Sequence, residues 1–168
     1  KDAGVEALLL GTLIAGVIGF VDDRYDLRAR WQILGQLLIS LIPIAFGLRI
    51  LFVSNPFGSG VLLFPDAVAL GVTIFWTLGM QNSMNFIDGL DGLVAGVTLI
   101  AGIVFFIYSY ILATGPGQTE YFNLASLLTA VLCGSLVGFL PINWHPAKMF
   151  MGDSGALVIG IIMAASTI

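Results

Sequence analysis

Six apolar segments, near Val5–Val21, Trp31–Leu48, Ala67–Gln81, Leu93–Ala113, Asn123–Leu140 and Ser154–Ile168, leave this sequence few folds to choose from. A bilayer core about 30 Å thick is crossed by about 20 residues of helix. Within lipid a helix satisfies its own backbone hydrogen bonds, which an open sheet edge or loop cannot do. Only 10% of the 168 residues are charged and 58% are hydrophobic, against about 25% charged in a soluble domain. The expected fold is therefore all-α: a polytopic helical transmembrane bundle of about six spans, with residues 1–168 forming a single integral-membrane unit. Its main partner is the lipid bilayer. A net charge of −4 argues against nucleic acid. Cys133 lies alone in an apolar run and reads as a small packing residue. The start at Lys1 and the lack of a signal-peptide cleavage pattern read as a piece of a longer membrane protein.

The few acids are not scattered. Asp22, Asp23 and Asp26 lie in the first connection between segments (Asp22–Arg30), Asp88 and Asp91 in the third (Asn82–Gly92), and Asp153 just past the fifth (Pro141–Gly152). Six spans put odd connections on one face and even connections on the other, so the three clusters share a membrane face. Arg24, Arg28, Arg30 and Lys148 lie in the odd connections, against Lys1 and Arg49 on the other side. Positive residues favour the cytoplasmic side, which implies a multi-pass protein of the plasma (inner) membrane with its site on the cytoplasmic face. Parity also puts positions 28, 82 and 148 opposite 59 and 118. In the second connection, two β-prone runs flank the turn Asn55-Pro-Phe-Gly-Ser-Gly and predict a short extracytoplasmic β-hairpin. The fourth, over 114–121, reads as a loop around Gly-Pro-Gly.

The richest stretch is Asn82-Ser-Met-Asn-Phe-Ile-Asp-Gly-Leu-Asp-Gly-Leu93. If it is helical, Asn85, Asp88 and Asp91 recur every three residues and project from one face. Plainer readings exist for each cluster. The first can be a helix end where acids and arginines neutralise one another, and Asp153 can be a helix N-cap. His145 and Trp144 can be ordinary interfacial residues. Together the clusters resist these readings, since two carboxylates about 6 Å apart repel by about 3 kcal/mol at an effective dielectric of 20. Several on one face call for a cation. Mg²⁺ prefers oxygen ligands and binds through one or two carboxylates plus substrate phosphate, and glycines beside the acids let a phosphate approach closely. The chemistry expected is metal-assisted phosphoryl transfer at the membrane surface. An intramembrane Mg²⁺-dependent prenyltransferase and a divalent-cation carrier are the competing classes.

Three stretches also carry a resemblance: Gly-Phe-Val-Asp-Asp-Arg-Tyr-Asp-Leu (19–27), residues 82–93, and Pro-Ala-Lys-Met-Phe-Met-Gly-Asp-Ser-Gly-Ala (146–156). In this order they resemble the motifs of the polyprenyl-phosphate N-acetylhexosamine-1-phosphate transferases, and Leu27–Gln36 resembles the stretch after the first motif. The resemblance implies an integral-membrane enzyme that moves a sugar-1-phosphate from a UDP-N-acetylhexosamine to a polyprenyl phosphate and releases UMP. Mg²⁺ is the implied cofactor, with Mn²⁺ as a substitute. It further implies Asp22 and Asp23 at the lipid phosphate, one as base, with Asp88 and Asp91 completing the catalytic set. Asp153, with Asp88, would hold the metal. Asn82, Asn85, Arg30, His145 and Lys148 would contact substrate. Asn143-Trp-His-Pro-Ala-Lys resembles the N-acetylglucosamine-1-phosphate branch of cell-envelope polymer synthesis more than the phospho-N-acetylmuramoyl-pentapeptide branch. Ala156 replaces the family's usual Ser. The family's helices before the first motif and its His/Arg-rich loop after the third lie outside these residues, so the segment alone is expected to be inactive. A homodimer is an assembly open to it.

Overall fold

The computed structural model describes residues 3–55, 57–114 and 120–168. Among them are six helices: α1 (Ala3–Tyr25), α2 (Ala29–Ala45), α3 (Asp66–Ile87), α4 (Leu93–Thr114), α5 (Glu120–Asn143) and α6 (Gly152–Ser166). Between α2 and α3 an antiparallel hairpin joins β1 (Phe52–Ser54) to β2 (Val61–Leu63), with Val53 opposite Leu62. The all-α bundle and its small hairpin match the expectation from sequence. The fourth connection, read as a loop, lies mostly outside the described residues, as does position 118. Three helical stretches, Gly4–Tyr25, Leu93–Thr114 and Leu124–Asn143, are long and apolar enough to cross a membrane.

With 15 residues, α6 is about 22 Å long. It is nonetheless the centre of the bundle and touches each of the other five helices. Ala156, Leu157, Ile159, Gly160, Ile161, Met163 and Ala164 are all buried along it. Small residues permit this approach. A Cβ on Gly160 would lie 2.6 Å from the Cα of Gln81 in α3, and one on Gly19 in α1 would run into the backbone of Ser154. Lipid tails are as apolar as leucine, so close backbone packing, rather than apolar burial alone, holds such helices together.

The bundle is accordingly apolar outside and partly polar within. Phe75, Leu9, Leu13 and Ile100 are exposed, while Ser40, Thr73, Thr77, Gln81, Thr98 and Thr129 are almost wholly buried. Thr73, Thr77 and Thr129 spend their hydroxyls on their own helices, as where Thr73 donates to Ala69 O and Thr77 to Thr73 O, while Thr98 of α4 donates to Met84 Sδ of α3. A polar side chain is costly against lipid and cheap where it finds a partner inside.

Two expectations are corrected. The helices outrun the apolar segments, so Asp22 and Asp23 belong to the last turns of α1, and Asn82 and Asn85 to those of α3. A helix ends where its backbone turns aside, not where its side chains become polar. After α1 that point is Asp26, at φ 50°. Second, Asp88 and Asp91 do not share a helical face. Asp88 caps α3, and Asp91 lies in the turn before Gly92, whose φ of 72° precedes α4. The two carboxylates point into different surroundings.

Arg28 and Lys148 are exposed at the end of the bundle that carries the acids, and Ser59 lies in the hairpin connection at the other. In a Cys133-free protein, single cysteines at 28 and 148 are expected to react with a membrane-impermeant maleimide from one side only. A cysteine at 59 should react from the opposite side. Labelling of 28 and 59 from the same side would break the proposed insertion.

Candidate active site

The start of α6 is the focus of the site. A helix leaves its first N–H groups without intrahelical partners, and here the side chains of other helices supply them. Asp23, from α1, accepts the N–H of Asp153 on Oδ1 (2.8 Å) and that of Ser154 on Oδ2 (3.1 Å). The N–H of Gly152 faces the Asp88 carboxylate at the end of α3. Gly152 is fixed twice over: its φ is 67°, and a Cβ there would lie 2.9 Å from both Asp23 oxygens. Asp153 is not the cap of its own helix. That position is Met151, which makes no side-chain capping bond.

Freed from capping, the Asp153 carboxylate turns into the site. Its Oδ1 accepts from Asn85 Nδ2 at 2.7 Å, and Asp22 lies within its hydrogen-bonding reach. Asp22 is 6% exposed, and its Oδ1 accepts the N–H of Leu27 at 2.9 Å, which tightens the turn between α1 and α2. Asp22, Asp23, Asp88 and Asp153 thus meet at one end of the bundle. Among the described residues no lysine or arginine forms an ion pair with any of them, and the ion pair present is His145–Asp91. Burial holds the Asp88 carboxyl above the ordinary aspartate range; the Gly152 N–H opposes this, and the charges of Asp153 and Asp23 add to the rise.

This donor set suits a hard cation. It offers carboxylate oxygens and uncompensated negative charge, the chemistry that Mg²⁺ selects. No three His, Cys, Asp or Glu residues form a ready-made cage among the described residues.

Asp91 belongs to a second cluster. Its Oδ2 accepts the N–H of Ala147 at 3.1 Å and meets His145 Nδ1 at 2.9 Å. The Ala147 N–H, and then the His145 ring, hold its carboxyl below the ordinary range. Beside it Asn143, which is buried, accepts the Gly92 N–H on Oδ1 at 3.0 Å and donates to Met149 O at 2.9 Å. These bonds staple the α5–α6 connection onto the α3–α4 turn.

The structure therefore brings together Asp22, Asp23, Asn85, Asp88 and Asp153, and pairs Asp91 with His145. Asn82 turns the other way, toward Gln36 of α2. Arg30 and Lys148 are exposed, with the Arg30 guanidinium over its neighbour Trp31. The sequence reading missed Gln36, Asn143 and Gly152 as builders of the site. A glutamine inside an apolar span was the available signal, since such a group demands a partner. An apolar groove of about 730 Å³ between α1 and α2, lined by Val17, Ile18, Val21, Leu27, Trp31 and Leu34, opens beside the Asp22 end.

Comparison with known proteins bears on this geometry. The sequence profile of glycosyl transferase family 4 matches residues 5–168. The chain is 34% identical to a decaprenyl-phosphate N-acetylglucosaminephosphotransferase of Mycobacterium tuberculosis, over 99% of its own length and 41% of the relative's. The Mycobacterium leprae protein of the same name is also 34% identical, over 99% and 42%. A phospho-N-acetylmuramoyl-pentapeptide-transferase of Carboxydothermus hydrogenoformans is 39% identical, over 97% and 53%. The chain thus spans between about two-fifths and half of the length of these relatives.

The Asp91 staple has a signed pH dependence. A carboxyl with a lowered folded-state pKa stabilises fully above the unfolded value, here 3.8, and loses that contribution as pH falls through the folded value. The Ala147 amide is expected to keep its hydrogen-exchange protection down to the ordinary aspartate range and to lose it only below. In Asp91→Ala protection should fall about tenfold already at neutral pH, the scale of a charge-assisted hydrogen bond. His145→Ala should cost less. Equal protection in Asp91→Ala and wild type would remove the staple.

Proposed function

The chain belongs to glycosyl transferase family 4, and we propose that it is the carboxylate-bearing core of a Mg²⁺-dependent phosphosugar transferase. The reaction is transfer of N-acetylglucosamine-1-phosphate, or a related N-acetylhexosamine-1-phosphate, from the UDP-sugar to a polyprenyl phosphate. UMP is released, and the product serves cell-envelope polysaccharide synthesis. The observation that carries this reading is the meeting of Asp22, Asp23, Asp88 and Asp153 around the first turn of α6, at one end of an apolar bundle. Transfer of phospho-N-acetylmuramoyl-pentapeptide is the second reading, favoured by the name of the 39% identical relative. The exposed Arg28, Arg30 and Lys148 support a cytoplasmic site at a plasma membrane.

In chemical terms, an oxygen of the lipid phosphate attacks the phosphorus that bears the sugar. A new P–O bond forms, the bond from that phosphorus to the bridging oxygen breaks, and the electron pair leaves on UMP. Asp153 and Asp88 would hold the Mg²⁺ ion, which when bound would supply neutralisation of the diphosphate charge. Asn85 orients Asp153 by its 2.7 Å hydrogen bond. Of the first pair we place Asp22 rather than Asp23 as the base, because both oxygens of Asp23 are taken by backbone N–H groups of α6. The groove between α1 and α2 would take the first prenyl units beside Asp22. The complete activity belongs to a protein longer than these 168 residues, which alone are expected to turn over little or nothing.

Asp153→Asn in the full-length protein keeps the shape and one acceptor but loses the charge that a hard cation needs. UMP release from UDP-N-acetylglucosamine and polyprenyl phosphate should fall by about two orders of magnitude or more, the scale of lost electrostatic catalysis. Because Asp23 rather than Asp153 caps α6, thermal stability should stay near wild type. A near-wild-type rate with unchanged Mg²⁺ dependence would take Asp153 out of the metal site. Diphosphate release from a prenyl diphosphate would favour a prenyltransferase, and cation flux without turnover a carrier.

A further inference from the structure

The carboxamides of Gln36 and Asn82 face each other across α2 and α3. Asn82 Nδ2 donates to Gln36 Oε1 at 2.7 Å, and Gln36 Nε2 donates back to Asn82 Oδ1 at 3.4 Å. Asn82 Nδ2 also donates to Leu78 O at 2.8 Å. A carboxamide has two hydrogens to give, and Asn82 gives both within the protein. Gln36 is 4% exposed, so its polar atoms have no recourse to bulk water. At the next layer Gln81 Nε2 donates to Ser40 Oγ at 3.1 Å, and Ser40 Oγ donates to Gln36 O at 2.8 Å. Two successive turns of α2 are thus laced to α3. Three residues past Asn82, Asn85 holds Asp153.

We propose that Gln36 and Asn82 are positioning residues that act through Asn85, and that Asn82 does not touch substrate. Their clasp fixes how far α3 is rotated about its axis and how deep it sits. That rotation decides whether Asn85 reaches the Asp153 carboxylate, since one residue around a helix is about 100°. An amide left without its partner at this place would draw α3 round to find another, whereas the reciprocal pair, or an apolar pair of the same shape, leaves α3 where it packs. The inference rests on the transferase reading for its activity readout, and on geometry alone for its binding readout.

The test is a double-mutant cycle in the full-length protein with near-isosteric apolar replacements, Gln36→Met and Asn82→Leu. Removing Asn82 strands the buried Gln36 amide and removing Gln36 leaves the half-buried Asn82 to turn to another partner, while removing both leaves neither amide behind. Each single variant is expected to lose about tenfold in kcat for UMP release, a coupling in the range for contacting residues. The KM for UDP-N-acetylglucosamine should stay within about twofold of wild type. The double variant should regain most of the lost rate. An Asn82 that contacts the nucleotide sugar gives a different pattern: KM rises in Asn82→Leu, Gln36→Met stays near wild type, and the double variant is no better than Asn82→Leu. That pattern would overturn the proposal. Should the singles fail to fold, a folded double variant with turnover supports the clasp, and a folded but inactive one refutes it. If wild type releases no UMP from any UDP-N-acetylhexosamine, the transferase reading fails by itself. The clasp is then judged by Mg²⁺ titration calorimetry: weakening in both singles and recovery in the double supports it, and equal affinity in all four proteins refutes it.

Discussion

Three backbone N–H groups at the start of α6 hold this site together. They point out of the short central helix with no intrahelical partner, and the positive end of the helix dipole makes carboxylates their natural complement. Asp23 arrives from α1 for two of them, and Asp88 from α3 faces the third. Capping by neighbouring helices does what self-capping could not. It ties the ends of α1 and α3 to α6 and leaves Asp153, the first-turn acid, free to face the site. The left-handed backbone of Gly152 aims those N–H groups, and any side chain there would collide with Asp23.

The same economy runs down the bundle. Gly19 and Gly160 let α1 and α3 meet α6 backbone to backbone, one at its first turn and the other near its middle. Contacts of that kind do not fill with lipid, and they transmit position: a shift of α6 along its axis would move Asp153, Ser154 and the N–H groups that Asp23 holds. The polar layer between α2 and α3 works in the same direction, because hydrogen bonds shielded from water have strict geometry and few alternatives. Rigid packing between small residues and an interior of mostly hydrogen-bonded polar groups, Gln81 Oε1 and Arg49 Nε being buried without a partner, together support a surface cluster of like charges that would otherwise spread.

Much of this was legible in the sequence, and the reason is physical. Helices in lipid are long, their polarity is extreme, and parity turns a count of spans into a statement about faces. That suffices to put Asp22, Asp88 and Asp153 at one end and to draw the hairpin around Asn55 and Gly60. The sequence could not say which acid is structural. Asp22 and Asp23 are adjacent and chemically identical, yet one is buried against Leu27 and the other caps a helix 130 residues away. Helix periodicity grouped Asp91 with Asp88, but the backbone leaves the helix at Ile87, a choice made by the glycines and by Asn143 reaching in from α5. Asn82, matched to a substrate contact by resemblance, turns toward a glutamine 46 residues earlier. Long-range pairing of this kind leaves no local pattern to read.

The carboxylates can then be sorted by what already satisfies them. Asp23 has both oxygens on backbone N–H groups, and Asp91 has an N–H and an imidazole on one oxygen. These two build. Asp153 has only the Asn85 amide besides a neighbouring carboxyl, and Asp88 only the Gly152 N–H, where burial first and then two nearby acids raise its affinity for a proton. These two have lone pairs left over and charge that no lysine or arginine among the described residues offsets. A folded chain that keeps such repulsion accepts a loss of stability at one place, as sites that bind charged ligands commonly do. On the proposed reading a cation entering there would relieve the repulsion, and the cost of assembling the acids would become part of the affinity for what binds between them. That is why exchanging the roles of Asp23 and Asp153 would not be neutral although both are aspartates: one is held by the backbone of α6, and the other keeps acceptor capacity that the proposed cation would use.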